Sequence, residues 1–245
     1  MPVRWIALGV GAYLAFALAL FPADVAYRWF APDGIRLSGV QGTVWSGGAA
    51  LGSAGPLGFH DIRWQVRPRS VLLARPGGYL ETGLGDGFFQ ADVRVGPGGV
   101  SLTGIRASCS LSALASALPI SGIRGQVSLQ LAELVLRDGW PASARGQMRL
   151  GQIAVPSLVG GNPIALGNYN VTLSGGDGLR GAFEDRGGPL QVRGSANLTV
   201  AGEYEIRGIV RARPEANAAL TRGVELLTGV PDDAGMRAFS FTGTL

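Results

Sequence analysis

The chain has 245 residues, 47% of them hydrophobic and 16% charged, and 21 basic against 17 acidic side chains give a net charge of +4. So apolar a composition excludes a disordered chain. Every basic residue is an arginine, spaced through strand-like stretches rather than clustered, which excludes a nucleic-acid footprint. The single cysteine, Cys109, excludes an internal disulfide, so a core must hold the fold.

Residues 1–4 form a short arm carrying Arg4. Residues 5–21, Trp5 to Phe21, contain no charge and would make a helix about 26 Å long. That is slightly less than the roughly 30 Å hydrocarbon core of a bilayer, and within the usual range of a spanning segment. Trp5 lies at one end and Tyr27, Trp29 and Phe30 at the other, where interfacial aromatics sit. The stretch is therefore predicted to be a single inner-membrane anchor with a cytoplasmic N-terminus and the bulk of the chain in the periplasm. A cleaved signal peptide is the competing reading, with small residues at Ala17-Leu18-Ala19 and Val25-Ala26. The apolar run exceeds the roughly 7–15 residues of a signal core, which favours retention.

Residues 22–34 read as a linker and 35–245 as a periplasmic β domain. Ile35 to Gly48 is a glycine-bent strand, and Ala49 to Gly52 continues it or pairs back. Leu57 to Arg67 alternates, with His60, Ile62, Trp64 and Val66 as the buried face. Ser70 to Ala74 is short and apolar. Tyr79 to Leu84 and Phe88 to Val95 form a hairpin across Gly85-Asp86-Gly87, and Val100 to Ser108 is one more strand.

Leu111, Leu114, Ala115 and Leu118 have helical spacing, Ser110 can cap them, and Pro119 stops them. Ser121 to Val127 then echoes Ser38 to Val44, which fits a domain divisible into similar halves, 35–109 and 120–245. Val127 to Leu131 is a strand that Leu134 to Arg137 either pairs with or extends, Ala144 to Val155 is the next long strand, and 156–167 is a loop. Asn168 to Ser174, Leu179 to Glu184, Leu190 to Val200 and Glu203 to Arg213 make a meander. Pro214 to Leu227 is a helix with a stripe of Leu220, Val224 and Leu227. Ala238 to Leu245 is the last strand. The predicted class is mainly β: a curved antiparallel sheet or sandwich-like domain with two short helices.

Three stretches carry a resemblance. They are Leu37 to Gly48, then Trp64-Gln65-Val66-Arg67-Pro68 followed by Leu72-Leu73, and the tail. The tail runs through Glu203 to Arg213, Leu220 to Leu227, Gly229, Asp232 or Asp233, Gly235, Phe239, Phe241, Gly243 and Leu245. Together they resemble the type II secretion system protein N family. The resemblance implies an inner-membrane accessory of the general secretion pathway, with other secretion components as partners on the platform or secretin side. It also implies a fold similar to the curved open sheets of AsmA-like lipid-handling proteins.

No pattern points to catalysis, a cofactor or a metal. His60 is the only histidine and Cys109 the only cysteine, so the usual zinc sets and histidine triads are absent. Cys109 reads as a small buried residue in preference to a low-pKa thiol. Asp232-Asp233 lacks the further oxygens that calcium needs and reads as a turn. Gly175 to Gly178 has no phosphate-loop lysine. Asn170 and Asn197 open glycosylation sequons without significance in a bacterial chain. Two functional classes stay open: a scaffold that meets other secretion components through sheet edges or faces, and a groove that holds acyl chains.

Overall fold

A computed structural model describes residues 2–31, 33–72, 76–117, 122–156 and 163–244. Two helices come first, α1 (Pro2–Ala19) and α2 (Ala23–Phe30). Four strands follow: β1 (Ile35–Ser38), β2 (Gln41–Gly42), β3 (Ser46–Ala54) and β4 (Leu57–Val66). After the single-turn helix α3 (Pro68–Leu72) come β5 (Gly77–Leu84), β6 (Gly87–Gly96) and β7 (Gly99–Ser110). The long strands β8 (Arg124–Arg137) and β9 (Trp140–Val155) precede β10 (Ile164–Ser174), β11 (Leu179–Asp185), β12 (Leu190–Leu198) and β13 (Glu203–Ala212). Helix α4 (Ala218–Leu227) and strand β14 (Arg237–Thr244) complete the chain.

Among the described residues these strands form one antiparallel 14-stranded sheet. From β3 to β14 each strand pairs with its neighbours in sequence, and β1 and β2 both pair with β3. The first and last strands do not meet, so the sheet is open.

Cross-strand partners share a face, so the registers give two faces of opposite character. One row runs Ile105, Leu131, Gly146, Leu173, Gly181, Ala196, Ile206, Phe241. The next row, on the other face, runs Arg106, Gln130, Gln147, Thr172, Ala182, Ser195, Arg207, Ser240. Ala91, Ile105, Leu131 and Ala144 form the buried centre of the apolar face, with Phe89, Leu102, Leu134 and Leu173 packed around them.

Ile105 is only 1% exposed. No second sheet lies over it, so the sheet must hide it by curling. Strands β9 and β11, two apart, bring Cα atoms within 8 Å, whereas flat spacing would hold them about 9.6 Å apart. Extra residues supply the curvature. Bulges fall at Asp61 in β4, Gly104 in β7 and Gln152 in β9, each with positive φ (50°, 62° and 53°). A left-handed residue on one strand sharpens its twist and bend.

Several elements differ from the sequence reading. The long first strand breaks at Gly39 (φ 67°) into β1 and β2, and Ser46–Ala54 pairs back on both. The 22–34 linker contains α2. The short apolar stretch after Arg67 is helical at Pro68–Leu72, and Leu73 and Ala74 fall outside the described residues. At 110–118 the helix shrinks to a 3-10 turn, Leu111–Leu114, whose Ala113 N–H is capped by Ser110 Oγ at 3.3 Å. Leu118, Pro119 and Ser121 are outside the described residues. The sheet passes from β7 straight to β8, paired from Val100↔Leu136 to Ser110↔Gln126. Of the two arrangements open to Leu134 to Arg137, the structure has the extension: it continues Val127 to Leu131 as one strand, carried through a bulge at Ala132. Helix α4 starts at Ala218, because Asn217 Oδ1 accepts from Leu220 N at 2.8 Å and caps it there.

The predicted span also differs. Its helix begins at Pro2 and ends at Ala19, and Leu20 and Phe21 lie in the break before α2. Among the described residues no helix is long and apolar enough to cross a membrane; α1 measures about 27 Å.

Burial at Ile105 makes a direct prediction. Ile105→Ala should lower unfolding stability by about 3 kcal/mol, the usual cost of such a cavity. Leu51→Ala, on an exposed position of β3, should cost about 0.5 kcal/mol or less. Denaturant titration of the full chain in detergent reads both; equal costs would show that the centre of the apolar face is not a packed core.

Candidate functional site

Three features could carry function: the joint between the helices and the sheet, the apolar face, and the polar network beside α4.

The joint is built by Leu37 to Gly48. Gly39 and Gly42 take φ of 67° and 86°, which turns the chain twice within a few residues. The turn after β2 swings Trp45 back toward α1, where its indole N–H donates to Leu18 O at 2.8 Å. That carbonyl belongs to the last turn of α1, where it also accepts from Phe21 N at 3.4 Å. Val44 N also donates to Phe21 O at 3.1 Å. On the sheet side, Val66 N donates to Trp45 O at 2.7 Å, and Trp64 Nε1 donates to Thr43 O at 3.3 Å. A Cβ on Gly47 would come within 2.6 Å of the Trp64 ring, so only glycine fits. The orientation of α1 on the sheet thus depends on one short motif. Its sequence signal was visible, but its role as a joint was not, because the partners lie 27 and 21 residues away.

On the apolar face, Phe183, Gly194, Gly208 and Phe239 form one row across β11 to β14. The two rings lean over the glycines and stack at 6.4 Å with 27° between their planes. A Cβ on Gly194 would meet Phe183 Cζ at 2.5 Å, and one on Gly208 would meet Phe239 Cζ at 2.6 Å. Phe239 also packs against Phe241 at 5.8 Å. Beyond this lid of rings much of the apolar face is only half-buried.

The polar network ties β11, the following turn and the end of β13. Arg213 Nη2 donates to Asp185 Oδ2 at 2.6 Å, and its Nη1 donates to Gly188 O at 2.7 Å and Leu190 O at 3.2 Å. Asp185 also accepts from Val192 N at 2.9 Å and Gly187 N at 3.4 Å. Burial pushes the Asp185 carboxyl up, but the Val192 amide and the Arg213 guanidinium outweigh it and hold the group below the usual range. Tyr169, opposite Asp185 in the register, is pushed up to about 12, chiefly by burial and then by the Asp185 charge. Its hydroxyl stays protonated and donates to Leu166 O at 2.7 Å. A shallow cavity of about 550 Å³ opens beside this network, lined by Ala165, Pro189, Arg213, Glu215, Asn217 and Leu220. Three of the five Arg213 N–H donors are committed to Asp185, Gly188 and Leu190.

The singled-out residues are scattered. His60 does not join the apolar face. The Asp61 bulge shifts it onto the polar face above Gly83, with its side chain 42% exposed. Its Nδ1 meets Asp61 Oδ2 at 3.0 Å and its Nε2 meets Gly85 O at 3.1 Å. Both partners accept, Asp61 first and Gly85 second, so they raise the His60 pKa. Cys109 is buried opposite Val127, and burial pushes its thiol up. Asp232 Oδ1 accepts from Ala234 N at 3.0 Å and Met236 N at 2.8 Å, so Asp232 and not Asp233 shapes the turn before β14. Among the described residues no cluster of His, Cys, Asp and Glu could hold a metal. Nothing brings His60, Cys109 and Asp232 together.

Comparison with known proteins identifies a family. The family model described as type II secretion system (T2SS), protein N, matches residues 33–240. The chain belongs to the type II secretion system protein N family. The type II secretion system protein N of Aeromonas hydrophila is 26% identical over 248 residues, covering 98% of this chain and 97% of that protein. No solved structure matches. The matched family region begins at Asp33, immediately before β1, and includes the motif that holds α1.

The Asp185 network predicts a pH dependence. Its lowered carboxyl contributes stability above the unfolded value, near 3.9, and loses it as pH falls toward the folded value. Asp185→Asn should cost about 2 kcal/mol at pH 7. The difference from wild type should hold down to about pH 5 and close below about pH 4. Denaturation midpoints across pH 3–8 test it; a gap that widens in acid would refute the assignment.

Proposed function

We propose that this chain is an inner-membrane accessory of type II secretion, whose β domain lies in the periplasm as a scaffold for other secretion components. The supporting observation is the match of the family over almost the whole chain, together with a sheet that offers faces and edges to partners. Attachment through α1 is part of the proposal. Ile6, Leu8, Val10, Leu14, Phe16 and Leu18 are all exposed. No packing partner covers them, which is unfavourable in water and suited to lipid. The helix is about 3 Å shorter than a typical hydrocarbon core, a mismatch that local thinning and the flanking Trp5 and Trp29 can absorb. Arg4 on the short arm favours a cytoplasmic N-terminus.

A second reading rests on the half-exposed apolar face, which could hold acyl chains. It differs in what the purified protein should carry. Under the scaffold reading, organic extraction of the purified chain yields no stoichiometric lipid beyond the detergent shell.

Secretion in a deletion strain tests the main reading. Exported enzymes should accumulate in the periplasm, and the full chain should restore them to the medium. A chain lacking Met1 to Phe21 but exported by a cleavable leader should not. Normal secretion combined with a leaky envelope would overturn the scaffold role and favour lipid handling.

A further inference from the structure

The two edges of the sheet are finished differently. On β1 the outward groups belong to Ile35 and Leu37, since the Gly55 N–H to Gly34 O bond fixes the alternate residues as inward. The Tyr27 hydroxyl closes them: it donates to Ile35 O at 3.1 Å and accepts from Leu37 N at 2.9 Å. One side chain of α2 occupies the place of the next strand.

On β14 only the beginning is closed. Gly229 N donates to Ala238 O at 2.9 Å, and Arg237 Nη1 donates to Gly229 O at 3.0 Å. The outward alternation set by Ala238 continues through Ser240 and Thr242. Among the described residues nothing pairs with their N–H and C=O groups. Proteins usually guard such an edge with charge, proline or a bulge. Ala238 to Thr244 contains neither charge nor proline, and its pairing with β13 is regular.

Resting on the anchored-scaffold reading, we propose that this edge docks a second copy of the chain, β14 against β14, antiparallel across a two-fold axis. The charges permit it. The facing segments are neutral, and the neighbouring Arg207 and Glu205 on β13 are paired with each other, so two identical edges meet without repulsion. The faces match as well. Phe239 and Phe241 extend the apolar face into the partner's, while Ser240 and Thr242 extend the polar one. Phe241 is 45% exposed, and Val230, beside the edge, is 88% exposed. Growth stops at two copies. The Tyr27-closed β1 edge cannot accept β14, so a head-to-tail fibre is blocked and the self-complementary pair closes. A pair of short strands buries less than the roughly 800 Å² per partner of a stable interface. The dimer is therefore weak in dilute detergent and forms where anchors confine the copies to one membrane.

The test is cross-linking in membranes containing the full chain. Ser240→Cys and Thr242→Cys, treated with a short bismaleimide, should each give a dimer band at least about five times that of wild type, whose Cys109 is buried. Ser38→Cys, on the closed edge, should stay at the wild-type level. Adding Thr242→Pro to Ser240→Cys should abolish the dimer without unfolding the sheet, because that N–H points outward and pairs with nothing inside the chain. Absence of a dimer at both positions, equal dimer from Ser38→Cys, or a cross-link only to a different protein would each overturn the proposal. The secretion assay is a separate readout. A dimer in a chain that fails to restore secretion sinks only the functional reading, and a monomer that restores it sinks only this one.

Discussion

A sheet one layer thick has to take one face out of water with nothing laid on top of it. Most β domains solve this with a second sheet or a helical layer, but here, among the described residues, α3 is one turn and α4 packs chiefly beside β13. Curvature does the covering. Bulges at Asp61, Gly104 and Gln152 bend β4, β7 and β9, and glycines at 146, 181, 194 and 208 leave room on the apolar face for neighbouring side chains to lean inward. The largest buried cluster gathers around Ile105 and Leu131, and Ala49 and Val210 are buried nearer the two edges. The abundance of glycine is thus a mechanical requirement of the fold.

Curling alone covers the centre and leaves the margins half-wet, and this bears on what the molecule can do. Its titratable groups are either committed to structure, as in Asp185 with Arg213, or isolated on the surface, as in His60 with Asp61. What remains is shape: an apolar concavity, a polar face, and two edges. The Trp45 joint holds this shape at a fixed attitude to α1, because the helix end and the first hairpin share hydrogen bonds. The joint thus fixes how the faces and edges of the sheet are presented relative to α1.

Much of this was legible in the alternation of side chains. Ile62, Trp64 and Val66 share the apolar face as period-2 reading requires, and Tyr204 to Ala212 show one apolar face as predicted. The failures have different sources. His60 was placed on the wrong face because a single left-handed residue, Asp61, reverses the count, and aspartate at that position looks ordinary in sequence. The cap at Ser110 was legible, but the turn it opens closes as 3-10 at Leu114, and the late start of α4 follows from the cap at Asn217, which competes with neighbouring candidates of equal quality. The Trp45, Tyr27 and Arg213 contacts bridge 8 to 28 residues, and no local pattern announces a partner at that distance.

The neighbour-by-neighbour order of strands has a further physical consequence. Among the described residues each strand from β4 to β13 is hydrogen-bonded only to the two strands beside it, so stability accumulates much as in a linear array, and the terminal units have one neighbour fewer. An array of this kind frays from its ends unless they are closed. Tyr27 closes one end with two hydrogen bonds, and it is carried by a helix whose position depends on α1. The other end relies on the turn shaped by Asp232, which reaches only Arg237 and Ala238. Attachment of α1 and integrity of the first strands are therefore coupled, while the last strand keeps hydrogen-bonding capacity that the chain does not itself satisfy.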